Sequence, residues 1–138
     1  MRGATETITV WNRYKDDAKK DVWVRSVVVG CSWEDDIVRD VNGTAAVYAS
    51  GYQVLIAENP AYMPVEEWLA LSAEDKATGF TLAVGSLVAR GEQSDEITPA
   101  FTVAMLKQRL DTGIFAISAF SDATHGYKRG RHYELLGV

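Results

Sequence analysis

Few residues in this chain have the types and spacing that chemistry needs. There are two histidines, His125 and His132, with Asp122 and Glu134 near them in sequence. A metal site from that set would need two or three ligands converging on one point, and no spacing here matches a known ligand motif. The single cysteine, Cys31, falls in a valine-rich stretch. A nucleophile there would need a lowered pKa and a base beside it, so a buried structural cysteine is the expectation. Asp35-Asp36 and Asp95-Glu96 are adjacent acidic pairs, but neighbours along a strand point opposite ways, which argues against a catalytic dyad. No Walker-type or dinucleotide-binding glycine loop and no His-Glu-x-x-His is present. The chain is therefore expected to be non-enzymatic, with no catalytic residue, metal or cofactor.

The totals suit one domain. The chain has 138 residues, 47% hydrophobic and 24% charged, enough for a core without staples. One cysteine allows no internal disulfide, and no apolar run reaches the length of a membrane span. The expectation is a soluble intracellular protein, and Asn42-Gly43-Thr44 reads as a turn rather than a glycosylation acceptor. The net charge of −5 disfavours a dedicated nucleic-acid binder.

The elements follow from periodicity and breakers. Residues 5–14 read as a strand, followed by a charged turn. Residues 21–33, DVWVRSVVVGCSW, read as a long second strand of roughly 40 Å with Gly30 as a natural bulge. Neither face of that strand is cleanly polar, which raises the question of what covers its second face. Residues 34–40 are acidic and weakly patterned, and Asn42-Gly43 is a hairpin signal. Strands are expected at 44–49, 52–57, 80–84, 87–90, 114–120 and 131–136. A short helix is expected over 65–77, with Ser72 and Asp75 as an alternative second cap. Another runs from Thr98-Pro99 to about Leu110. The sum is mainly β: a small barrel or sandwich of about seven or eight strands with two short helices inserted.

Trp11, Trp23, Trp33 and Trp68 could line a groove, but core packing is the default for tryptophan. A base-stacking platform would want more cations than Arg13 and Arg25 beside them. Acidic residues cluster in 34–40 and 92–96, and basic ones late, at Lys107, Arg109, Lys128, Arg129 and Arg131. Solvated loops are one reading. The other is a head-to-tail contact, one copy's acidic loop against its neighbour's basic loop. Such contacts close into rings, and a neighbour could then cover the second face of the long strand. The candidate subunit interface is Trp23, Arg25, Trp33, Lys128, Arg129 and Arg131.

The order ITVWNRY, DVWVRSVVVGCSW, YQVLIA, FTLAVGSLVARGE and the paired ending FAISAFSDATHGYKRGRHYELLGV resembles the head-completion or stopper proteins of tailed bacteriophages. It is also similar to small proteins of Gram-positive prophage structural clusters. The resemblance covers most of residues 5–138 and lies in layout, not in any single motif. It implies a virion structural protein: a hexameric or dodecameric ring in the neck, with the portal and its adaptor above and the tail-terminator protein below. It implies proximity to genomic DNA, no membrane, and a place in host cytoplasm during assembly. The family's channel-facing element follows the second strand, which here implies Glu34, Asp35, Asp36, Arg39, Asp40, Asn42 and Gly43. The stretch 58–79 is longer than the bare family barrel, so a tail-completion protein one layer down is an alternative. An OB-like binding module is another, and a small enzyme ranks last.

Overall fold

The computed structural model describes residues 4–40, 48–111, 113–124 and 131–137. Among these, six antiparallel strands close into one barrel: β1 (Glu6–Lys15), β2 (Asp21–Asp40), β3 (Tyr48–Ala57), β4 (Leu87–Arg90), β5 (Ile114–Ala123) and β6 (His132–Gly137). The order around the wall is β1-β2-β3-β6-β5-β4, and pairing of β1 with β4 closes it. Three short helices, α1 (Val65–Leu69), α2 (Ala73–Lys76) and α3 (Val103–Leu110), decorate it. The mainly-β expectation therefore holds, as a barrel rather than a sandwich.

Gly30 controls the long second strand. It has φ +78, and the β1 register skips it, from Thr7↔Val29 to Glu6↔Cys31. This is a bulge with glycine in the left-handed region. Before it, Val28 points inward while Val27 and Val29 are 37% and 65% exposed; after it, Cys31 and Trp33 point inward. The inward parity changes from even to odd. Trp33, expected at a subunit interface, is 7% exposed in the barrel interior, because the alternation does not carry across the bulge.

Two apolar layers follow. Inside the barrel, Ile8, Val10, Val28, Val54, Ile56, Val88 and Leu135 fill the middle. Aromatic clusters fill both ends: Trp33, Tyr52 and Phe115 at one, and Tyr62, Phe80, Phe120 and Tyr133 at the other. On the outer wall, Trp11, Leu87 and Ala89 lie under Ile97 and Leu106. The chain itself covers this part of the outer wall, on β1 and β4, while Val27 and Val29 on the outer face of β2 remain exposed. Trp11 Nε1 donates to the Asp95 carbonyl at 3.0 Å, and Thr9 Oγ1 bonds Gly91 O and Gln93 N, each at 2.8 Å. Residues 91–102 are thereby held flat, and α3 packs Val103, Leu106 and Leu110 over the same face. Its N-cap is Thr102, not Thr98; Thr98 instead closes a tight turn onto Phe101.

The other departures lie in the stretch between β3 and β4. Residues 80–84 form no strand. Asn12, 1% exposed, takes the place of a partner strand there: its amide donates to Thr81 O (2.8 Å) and Ser86 Oγ (3.0 Å) and accepts from Thr81 N (3.1 Å). Phe80 and Leu82 enter the barrel as a plug. The helix expected over 65–77 breaks into α1 and α2, with Ser72 capping α2 through Asp75 N at 3.1 Å. Lys76 is 5% exposed; its ammonium sits 4.6 Å from the Tyr14 ring and donates to the Leu69 and Leu71 carbonyls. A buried cation is tolerable only with such partners, and here it ties the insertion to β1. The expected strands 44–49 and 52–57 are one strand over their described part, β3.

Candidate assembly surfaces

The first surface is a ribbon. β1 leaves β2 at Cys31, and β6 leaves β3 at Tyr52. Beyond these points β2 and β3 pair only with each other, from Ile37↔Gly51 to Asp40↔Tyr48. That is roughly 10 Å of paired backbone standing clear of the barrel. The register shifts between Glu34 and Ile37, opposite Tyr52, so the ribbon carries a bulge at Asp35 and Asp36, and bulges bend strands. The candidate channel-facing residues Glu34, Asp35, Asp36, Arg39 and Asp40 thus belong to a strand rather than a loop, and Glu34 is exposed. Asn42 and Gly43 lie outside the described residues.

The second surface is the opposite end of the barrel. The β1–β2 turn, the start of the stretch between β3 and β4, and the facing ends of β5 and β6 lie there; Glu58 N, for example, donates to Arg131 O at 3.3 Å. The β1–β2 turn is built by Asp16, whose Oδ1 accepts from Ala18 N and Lys20 N at 2.9 Å each. Asp21 pairs with Lys15 at 2.7 Å, and that hydrogen bond holds its carboxyl below the usual range. Between this turn and α3 runs a groove of about 680 Å³. Val22, Trp23, Ile97, Pro99, Val103 and Ala104 give its apolar walls, and Asp16, Lys20, Asp21 and Glu96 its charged margin.

The proposed interface residues divide. Trp23 lines the groove with Arg13 5.6 Å from its ring centre. Arg25 is not free for a neighbour: Nε donates to Glu96 Oε1 at 2.8 Å and an Nη to Gln93 O at 3.0 Å. Arg109 likewise pairs with Asp95 and Gln93. The acidic stretch 92–96 is therefore bound to arginines of its own chain, which corrects its assignment as an intersubunit loop. Arg131 lies 3.7 Å from Glu58. Lys128 and Arg129 are outside the described residues. His132 starts β6, while His125 is outside the description. Among the described residues no three His, Cys, Asp or Glu side chains converge as a metal-holding group, and no helix is long and apolar enough to cross a membrane.

Residues 4–138 match the family of unknown function DUF6751. The chain belongs to that family. Comparison with curated proteins finds no match, and neither does comparison with solved structures.

In this family member Cys31 is a core residue. Burial, with Glu6 adding its charge, pushes the thiol up to about 12. Native protein is expected to resist a thiol reagent at pH 8, reacting only after denaturation; rapid native labelling would overturn the assignment. The same shift gives a pH dependence. A thiol that ionises near 9 when unfolded and near 12 when folded contributes stability fully below pH 9 and loses it between 9 and 12. Tyr62, raised to about 12 by burial and by the Asp122 charge, adds to the loss above 10. Denaturant titrations should show stability falling from about pH 9 upward.

Sequence reasoning missed Asn12 and Lys76, because burial of a lone polar residue leaves no periodic mark. Glu6 was missed too. It bridges Arg90 Nε (2.9 Å) and Trp33 N (3.1 Å), closing the wall where β1 begins.

Proposed function

We propose that this chain is a non-enzymatic virion protein of a tailed phage, a head-closure subunit that forms a ring between portal or adaptor and tail and helps retain packaged DNA. The projecting β2–β3 ribbon carries the reading. A barrel filled at both ends by aromatic side chains cannot itself conduct DNA. A ring of such barrels leaves a central channel, and a bent arm from each subunit can reach it. The sequence of that arm holds Glu34, Asp35, Asp36 and Asp40 against one Arg39. Carboxylates there repel phosphate, so DNA passes or stops without being gripped. A closed barrel offers few strand edges, which leaves loops, arm and outer wall for contacts between subunits and layers.

The test is mass spectrometry of purified, DNA-filled particles from the strain that encodes the chain. About six to twelve copies per particle, as ring symmetry requires, is the expected result. Absence from particles overturns the reading. Imaging of the neck then distinguishes a head-closure ring from a tail-completion ring one layer down.

A further inference from the structure

β4 is shorter than the strands on either side of it. It begins at Leu87, opposite Trp11 of β1 and Ala116 of β5. β1 runs on to Lys15 and β5 to Ala123, so the wall has a slot where β4 is missing. On the β1 side of the slot the insertion supplies partners: Asn12 bonds Thr81, and Lys76 lies over Tyr14. On the β5 side the partners end early. Gly85 N donates to Ile117 O, and Ile117 N donates to Ser86 O, each at 2.9 Å. Past Ile117, among the described residues, the backbone of β5 is hydrogen-bonded to β6 alone.

Ser118–Ala123 therefore keeps a row of unpaired backbone N–H and C=O groups on the edge that faces the slot. That is roughly 20 Å of strand edge. Ser118, Ala119, Ser121 and Asp122 along it are exposed. Edges are ordinarily guarded by lysine, by proline or by a bulge. The run SAFSDA has neither lysine nor proline, and its bulge, between Ile117 and Ala119, lies at its start. A second observation falls at the same place. Ser86 N closes a tight turn onto Ala83 O at 3.0 Å, with Gly85 at φ +96. Val84 in that turn is 70% exposed, more than any other large hydrophobic residue described. A strand added against β5 in the row of β4 starts beside Val84 and covers it.

We propose that the free edge of β5, Ser118–Ala123, receives an extended segment of a second virion protein, which joins the barrel wall as a strand beside Val84. The unpaired main-chain groups select this occupant, because only extended backbone presents donors and acceptors at their spacing. A helix has its own already bonded internally. The inference rests on the ring reading for where the partner is found, and on the edge alone for its conformation.

Photo-cross-linking in particles tests it. Ala119, Ser121 and Ala123 share the outer face of β5, since Phe120 packs against the core. A photo-reactive phenylalanine analogue is placed at each position in turn, and the cross-linked peptides of DNA-filled particles are sequenced. The expected result is one segment of one other virion protein, with the three attachment points in order and two residues apart, the period of a strand. Attachment points three or four residues apart overturn strand addition in favour of a helix. Attachment to residues 124–131 of the same chain overturns it in favour of the chain's own connection. Attachment to a second copy of this chain overturns it in favour of a contact between subunits. Particles that hold all three variants at wild-type copy number yet give no cross-link overturn the contact and leave the ring reading standing. Particles without the wild-type chain overturn both.

Discussion

Replacing residues 38–50 with Asn-Gly, so that a two-residue turn joins Ile37 to Gly51, is expected to leave a folded barrel that no longer retains DNA in particles. Ile37 and Gly51 are directly opposed, and a two-residue Asn-Gly loop closes such a pair. Tyr52, which stacks on Phe115 at 5.2 Å, is kept. Among the described residues removed, 38–40 and 48–50 pair only with each other, so stability should change by no more than about 1 kcal/mol. The proposed role predicts something different for particles: normal incorporation of the shortened subunit, but leakage of packaged DNA and loss of infectious titre. Chemical denaturation of the purified chain reads the first effect, and nuclease-protected DNA per particle reads the second. Full DNA retention by the shortened subunit would remove the ribbon from the mechanism.

Gly137→Ala is expected to be among the most destabilising single changes in the chain. Gly137 lies opposite Tyr52 on one side and Ile117 on the other, near the bulge at Ile117 to Ala119. A β-carbon there would overlap the Phe115 ring and the Ala116 carbonyl oxygen. The ring can turn only by displacing Trp33 and Tyr52, which pack against it, and the carbonyl belongs to the wall. Overpacking against immobile atoms costs about 3 kcal/mol or more. For a chain of this size that is about 10 °C in Tm. Gly91→Ala is the control. Gly91 has φ +82, but its nearest foreign atom, Gln93 Nε2, is 3.7 Å from the added carbon. It should lose only the left-handed penalty of about 1 to 2 kcal/mol. Thermal melts of the two variants, side by side, separate backbone strain from overlap; equal losses would show that the Phe115 end of the barrel yields.

These two positions also show what could be read in the sequence. The valine-rich run between Trp23 and Trp33 announced a long strand, and Gly30 announced its bulge. The consequence of the bulge could not be read, since a change of parity depends on which residue the partner strand skips. Trp33 was therefore placed outside when it lies inside. The stripe of α3 was legible only in part: Phe101, Met105 and Leu106 suggest a face, but Met105 is exposed and Leu106 packs on the outer wall of β1 and β4 with Val103 and Leu110. FTLAV looks like any apolar strand. It became a plug because Asn12, seventy residues away, supplies the hydrogen bonds that a neighbouring strand would have supplied. The charge clusters were visible as composition, yet only the folded chain pairs Arg25 with Glu96 and Arg109 with Asp95. Long-range pairing of this kind has no local signature.

The strand order sets a timetable for synthesis. β3 is complete at Ala57, but the neighbour that covers its free edge, β6, begins at His132. At 5 to 20 residues per second the ribosome takes roughly 4 to 15 s to cross that gap. Throughout it the nascent chain presents β3, with Val54 and Ile56 unburied on one side, to any other strand that passes. A β1–β2–β3 meander waiting for a partner on a polysome is well placed to pair with its counterpart on the next ribosome, and slow translation of residues 58–131 should raise the yield of aggregated chains rather than lower it.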